Sequence, residues 1–241
     1  MAAMQTLTIT DPSDRQNPIA ELSTASPLMY HGTHSMFCPL IEQQGFCFDG
    51  FESAYGAEVR TIVAACDELY LRPDGYAGAK GFSGKKWTYF SESFRSARGY
   101  ALNVGCERID GALRIANAFL AFARDKHRVE LQAAHWEGVL KQHGPHSATE
   151  RVLANIRNAD FVRKLAEQVE NAHSVLNLAT RQGHPVVYAV RADRKWIRGA
   201  GAAATGDCHR EPFGGIRLTA VSADRIVARI EYPNGISPDS E

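Results

Sequence analysis

Residues 27–34 read Pro27-Leu28-Met29-Tyr30-His31-Gly32-Thr33-His34, a short apolar run that breaks at a histidine and a glycine. Apolar residues bounded by turn formers read as a strand running into a loop. Residues 36–44 then read as a short helix that stops at Gly45. A second stretch, Gly84-Lys85-Lys86-Trp87-Thr88-Tyr89-Phe90-Ser91, passes from a Gly- and Lys-rich loop (75–86) into a strand over 87–91. Its bulky residues suit a pleated surface. Residues 94–104 read as the next helix, which carries Tyr100, eleven residues after Tyr89.

Outward from these two stretches the pattern changes twice. Residues 46–86 look irregular, apart from a helical segment at 61–69. From 107 to 182 the chain is helical. Ile109, Leu113, Ala116, Leu120 and Ala123 recur at three- and four-residue steps, as do Phe161, Leu165, Val169, Ala172, Leu176 and Ala179. Ser147-Ala148-Thr149-Glu150 has the form of a capping box. After Pro185 the period becomes strand-like, in 186–192, 215–221 and 225–232. Strands, then helices, then strands imply an α+β fold rather than alternating βαβ units. The helical stretch reads as an insertion of about 75 residues in a domain running from 28 to 241. Residues 1–27 are polar and, outside Thr6–Thr10, aperiodic, so they read as a disordered leader.

The chain has 241 residues, 44% of them hydrophobic and 22% charged, enough apolar material for a core. Lys and Arg total 27 and so do Asp and Glu. That balance counts against nucleic acid as a partner, because phosphate binding draws on a basic surplus. Cys38, Cys47, Cys66, Cys106 and Cys208 are odd in number and widely spaced, which argues for reduced thiols rather than a disulfide scaffold or zinc site. His143 and His146 straddle a proline and lack partners at useful spacing, so no metal is expected. No apolar stretch approaches the roughly 20 residues of a membrane span, and a soluble protein is expected. The phosphate-binding patterns G-x-G-x-x-G and G-x-x-x-x-G-K-[ST] are absent.

His31-Gly32-Thr33 after an apolar run, Leu40-Ile41 with Gly45 beyond it, Tyr89-Phe90-Ser91 on a strand, and Tyr100 on the following helix form a conjunction. Together they resemble the ADP-ribosyltransferase superfamily. The match is to the branch with a His–Tyr–Glu triad, shared by diphtheria-like toxins and poly(ADP-ribose) polymerases. The resemblance covers about 28–101 and, loosely, 186–232. It implies split antiparallel sheets that form a cleft for NAD, which is consumed as a substrate. It also implies roles. His31 would bond a ribose hydroxyl, and Gly32 would offer its backbone to the carboxamide. Tyr89 and Tyr100 would flank the nicotinamide ring. Thr33, Phe90 and Ser91 would complete the pocket. A glutamate would stabilise the oxocarbenium-like transition state by electrostatic preorganisation. Glu211, just before the strand beginning at Gly215, is the first choice and Glu231 the second. Lys80, Lys85, Lys86, Arg95 and Arg98 would suit a pyrophosphate, although a solvated face is their plainer reading.

Two departures bear on the substrate. The Glu-x-Glu pair of the arginine-modifying branch is missing, which favours a non-arginine acceptor. The family's serine eight residues after the first tyrosine is Ala97 here. The resemblance therefore implies mono-ADP-ribosylation of a protein, recognised partly by the helical insertion. The polar leader also suits secreted bacterial effectors of this superfamily, some of which modify host proteins such as ubiquitin in the host cytoplasm. Three alternatives stay open: an NAD glycohydrolase, a nucleic-acid-directed enzyme of the same fold, and an inactive protein-binding module. Each residue also has a plain reading. His31 alone would be a turn histidine, Tyr100 a packing residue and Glu211 a solvated loop charge.

Overall fold

The computed structural model describes residues 4–11, 13–22, 26–80, 88–104, 107–193, 196, 208–210 and 215–234, with backbone alone at 48–53, 108 and 208–210. The chain divides into two compact units. One comprises Met1–Ala54, Lys85–Glu107 and Ala179–Glu241; the other comprises Tyr55–Gly84 and Arg108–Leu178. The fold is α+β.

The first unit is built on a seven-stranded sheet. Its strands are β1 (Gln5–Thr8), β2 (Leu28–His34), β4 (Thr88–Ser91), β5 (Pro185–Arg191), β6 (Cys208–Arg210), β7 (Gly215–Leu218) and β9 (Ile226–Glu231), in the order β1-β9-β5-β2-β4-β7-β6. Every neighbouring pair is antiparallel except β1 with β9. A ribbon of β3 (Phe46–Cys47) and β8 (Ala220–Val221) lies outside this sheet. The resemblance implies split sheets, whereas these seven strands form one sheet that is nearly divided. β2 pairs with β5 over seven residues but meets β4 only where Tyr30 faces Ser91.

Two helices belong wholly to this unit. Helix α1 (Cys38–Gln44) starts with a proline in its first turn and ends at Gly45, whose φ of 77° is readily adopted only by glycine. Helix α4 (Phe94–Asn103) is capped by Ser93, whose hydroxyl oxygen accepts from the Ser96 amide at 3.2 Å. Phe94, Ala97 and Ala101 on α4 pack with Leu28, Tyr30 and Val187 of the sheet. The Tyr30 and Phe94 rings meet edge to face at 5.6 Å, a contact that adds about 1 kcal/mol beyond area.

The leader expectation fails in part. Gln5–Thr8 is a strand paired with Ala228–Glu231, and Ile19 is buried in the core. A polar stretch is ordered here because β9 offers it an open row of backbone donors and acceptors.

The second unit is helical. It holds α3 (Tyr76–Lys80), α6 (Lys126–His143), α7 (Ser147–Arg157), and most of α2 (Phe48–Glu68), α5 (Glu107–Arg124) and α8 (Ala159–Gln182). Val162, Leu165, Val169, Ala172 and Leu176 form the buried stripe of α8, close to the spacing read in the sequence. The expected insertion, 107–182, thus understates the unit, which also recruits 55–84. α2 runs 21 residues where only 61–69 looks helical. Gly50 and Gly56 blur its period, each costing about 1 kcal/mol in a helix, and packing of Val59, Ile62, Ala65 and Leu69 offsets them. The capping box also fails. His146 is the residue before α7 and Ser147 already lies inside it, one position too late to cap.

Among the described residues Cys38, Cys47 and Cys66 are free thiols. No helix there is long and apolar enough to cross a membrane.

Candidate functional site

The near-division of the sheet creates the site. Past the Tyr30–Ser91 pair, no β2 residue faces Tyr89 in register. The Tyr89 carbonyl instead lies 2.7 Å from His31 Nδ1. A carbonyl oxygen can only accept, so Nδ1 carries the proton and Nε2 is the acceptor of the neutral ring. The imidazole is half-buried, with the Phe46 ring edge-on at 4.9 Å and Phe90 tilted at 5.4 Å. Phe46 also meets Phe90 at 5.0 Å and Tyr188 at 5.5 Å.

No motif in the sequence marks Phe46. Its only signal was the glycine before it. A Cβ on Gly45 would lie 2.1 Å from the Val221 carbonyl oxygen, so this glycine lets β3 approach β8 and seats Phe46 beside His31.

Tyr89 and Tyr100 stand on β4 and α4, 43% and 40% exposed, unusually open for large aromatic side chains. The Arg217 guanidinium lies over the Tyr89 ring, 5.0 Å from its centroid. Gly32 brings α4 onto β2: a Cβ there would lie 2.1 Å from the Ala97 carbonyl oxygen and 2.9 Å from the Ala101 nitrogen. Ala97 is itself buried in that contact, which leaves room there for a small side chain only.

The remaining residues take different places. Phe90 and Thr33 are buried. The Ser91 hydroxyl accepts from the Ser93 amide at 3.0 Å and shapes the turn into α4. Glu211 lies outside the described residues, between β6 and β7, which pair with each other. Glu231 is held at the end of β9, 2.9 Å from Arg229 Nε and 3.7 Å from His184 Nε2.

Of the cations, Lys85 and Lys86 lie outside the described residues. Lys80 bonds Asp67 at 3.2 Å and the Tyr76 hydroxyl at 2.9 Å. Arg98 is buried over Tyr232, while Arg95 is exposed on α4.

A polar cluster that the sequence did not suggest surrounds Glu231. Arg229 pairs with Glu42, and the Tyr188 hydroxyl donates to Glu42 at 2.9 Å. Burial pushes the Tyr188 phenol and the Cys38 thiol up. Burial works against the charge on Arg229, but the hydrogen bond and charge of Glu42, with Glu231, outweigh it and hold the guanidinium pKa up. The partners lie 146 and 187 residues apart in sequence, beyond the reach of any local pattern. Among the described residues no group of three or more His, Cys, Asp or Glu side chains could hold a metal ion.

In comparisons with known proteins, no family model matches the chain, and no curated protein or solved structure matches it.

Proposed function

We propose that the chain is a mono-ADP-ribosyltransferase that cleaves NAD and transfers ADP-ribose to a protein acceptor other than arginine. The observation that carries this reading is the His31 imidazole bonded across the opening of the sheet to the Tyr89 backbone carbonyl, on a strand whose Tyr89 side chain is itself exposed. With its proton on Nδ1, a neutral imidazole carries its acceptor on Nε2, and that is the atom proposed to meet a ribose hydroxyl. Exposed tyrosine rings offer flat surfaces on which a nicotinamide ring can stack. In the reaction, the bond between ribose C1′ and nicotinamide N1 breaks and its electron pair passes to N1. The acceptor's lone pair then forms the new bond to C1′, and the acceptor gives up its proton. The developing positive charge on the ribose calls for a carboxylate. Glu211 is assigned that role, since Glu231 is already engaged by Arg229.

The test is incubation with labelled NAD and a cell lysate, followed by mass spectrometry of the labelled material. His31→Ala and Glu211→Gln are expected to lower transfer by two or more orders of magnitude while the unfolding midpoint stays near wild type. Unchanged turnover in Glu211→Gln removes Glu211 and promotes Glu231. Label found only as free ADP-ribose makes the enzyme a glycohydrolase. Absence of nicotinamide release from the wild type rejects the reading. A secreted effector acting on a host protein such as ubiquitin is the setting proposed from the resemblance alone, and the identity of the labelled protein tests it.

A further inference from the structure

We infer that Arg217 makes the exposed Tyr89 ring prefer a neutral aromatic ligand over a cationic one. The inference rests on the NAD reading for the identity of that ligand, and on the sheet for its physics.

Tyr89 and Arg217 face each other directly across β4 and β7, so their side chains share one face of the sheet. The guanidinium sits 5.0 Å from the ring centroid, within reach of a cation–π contact. Ile216 and Leu218 on either side of Arg217 are buried, and β6 pairs with the far edge of β7. The backbone under Arg217 is therefore held in register with Tyr89.

Two effects follow for a ligand on the remaining face of that ring. The ring's electron density is already drawn toward the guanidinium, which weakens a second cation–π contact. The guanidinium also repels a positive ligand directly, an effect that solvent around the exposed ring weakens without removing. A neutral ring suffers neither penalty.

That preference suits the proposed chemistry. The nicotinamide ring enters as a pyridinium and leaves neutral, because the C1′–N1 electron pair passes to N1. A surface that disfavours the cation and accepts the neutral ring favours the transition state over the bound substrate, which raises kcat rather than tightening binding. Arg217 acts through Tyr89 and so is a positioning residue.

The experiment compares two probes on the full chain: nicotinamide, and 1-methylnicotinamide, a cation of nearly the same shape. Their affinities are measured by titration calorimetry for wild type, Arg217→Gln, Arg217→Met and Arg217→Lys. Wild type and Arg217→Lys are expected to favour nicotinamide. Arg217→Gln and Arg217→Met are expected to shift the affinity ratio toward the cation by roughly three- to tenfold. In steady state the two neutral variants should lower kcat and KM for NAD together, as loss of ground-state strain does.

A merely structural role for Arg217 would weaken both probes alike. A ratio that stays at the wild-type value in the neutral variants, or equal loss of both probes, overturns the inference and leaves the NAD reading standing. If wild type binds neither probe nor NAD, the NAD reading and the inference fall together. Arg217→Met keeps the apolar stem, so the comparison survives if Arg217→Gln does not fold.

Discussion

His34 and His31 lie three residues apart on one strand with opposite chemistry. His31 is half-open and bonded through Nδ1 to a carbonyl. His34 is buried, and its Nδ1 accepts from the Met36 amide at 3.4 Å. Burial holds the His34 imidazole below its ordinary value of 6.5, and the neighbouring His184 adds to the effect. The folded state therefore prefers the neutral ring. A depressed folded pKa contributes stability that is complete above the unfolded value and is lost as the pH falls toward the folded one. The urea midpoint should accordingly fall between pH 7 and pH 5, and His34→Gln should flatten part of that slope. A slope unaltered by His34→Gln would assign the acid sensitivity to other groups. The sequence set both histidines side by side in one motif. Strand alternation puts them on opposite faces, but which face is closed depends on what packs there.

At the scale of elements, the contact between α4 and β2 decides the site. Gly32 leaves room for the Ala97 carbonyl, and no side-chain rotation can relieve a Cβ placed 2.1 Å from a backbone oxygen. Gly32→Ala should cost about 3 kcal/mol or more, read as a lower urea midpoint; near-wild-type stability would show that the helix can retreat without cost. In the sequence this glycine reads as a backbone offered to a ligand, whereas its packing role depends on the helix laid against it. Elements with a clean period were legible: β2, β4, α4, α8, β5 and β9 all lie close to their expected spans. The others follow from long-range partners. β1 is a strand because β9 pairs with it. The helix end at Glu68 places Tyr70 at φ 53°, where Arg72 stacks between Tyr70 and Tyr76, 4.3 Å from each ring. Trp136 meets the Tyr70 edge at 4.9 Å. A tyrosine in a conformation that favours glycine is held there by its neighbours.

For the whole molecule, the division into two units changes how the helical part is understood. The second unit draws on two separate stretches of chain. Asn155 donates to the Glu68 side chain at 2.9 Å and to its carbonyl at 3.2 Å, tying one stretch to the other. Deletion of 108–178 alone should leave Ile62 and Leu69, both fully buried, without cover. That chain should bind a hydrophobic dye and elute as aggregate on gel filtration, whereas a chain lacking 55–84 as well should do so much less. A monomeric, dye-silent product of the single deletion would show that 55–84 folds independently of the helices. Residues 107–182 were legible as helical from their period. Membership of 55–84 was not, because an irregular, glycine-containing stretch becomes helix only where a partner buries it.

By itself the sequence determined the class of fold, the run of helices, the strands on either side of them, and the pair of motifs around His31 and Tyr89. Periodicity, turn residues and short spacings are local, and those features follow from them. Only the tertiary structure decided that β2 and β4 touch at one residue pair, that His31 fills the resulting gap with its ring, that Phe46 backs it, and that Arg217 lies over Tyr89. Each of these joins residues far apart in the chain. Their proximity is set by strand register and by the close approach of backbones at Gly32 and Gly45, which no local pattern encodes.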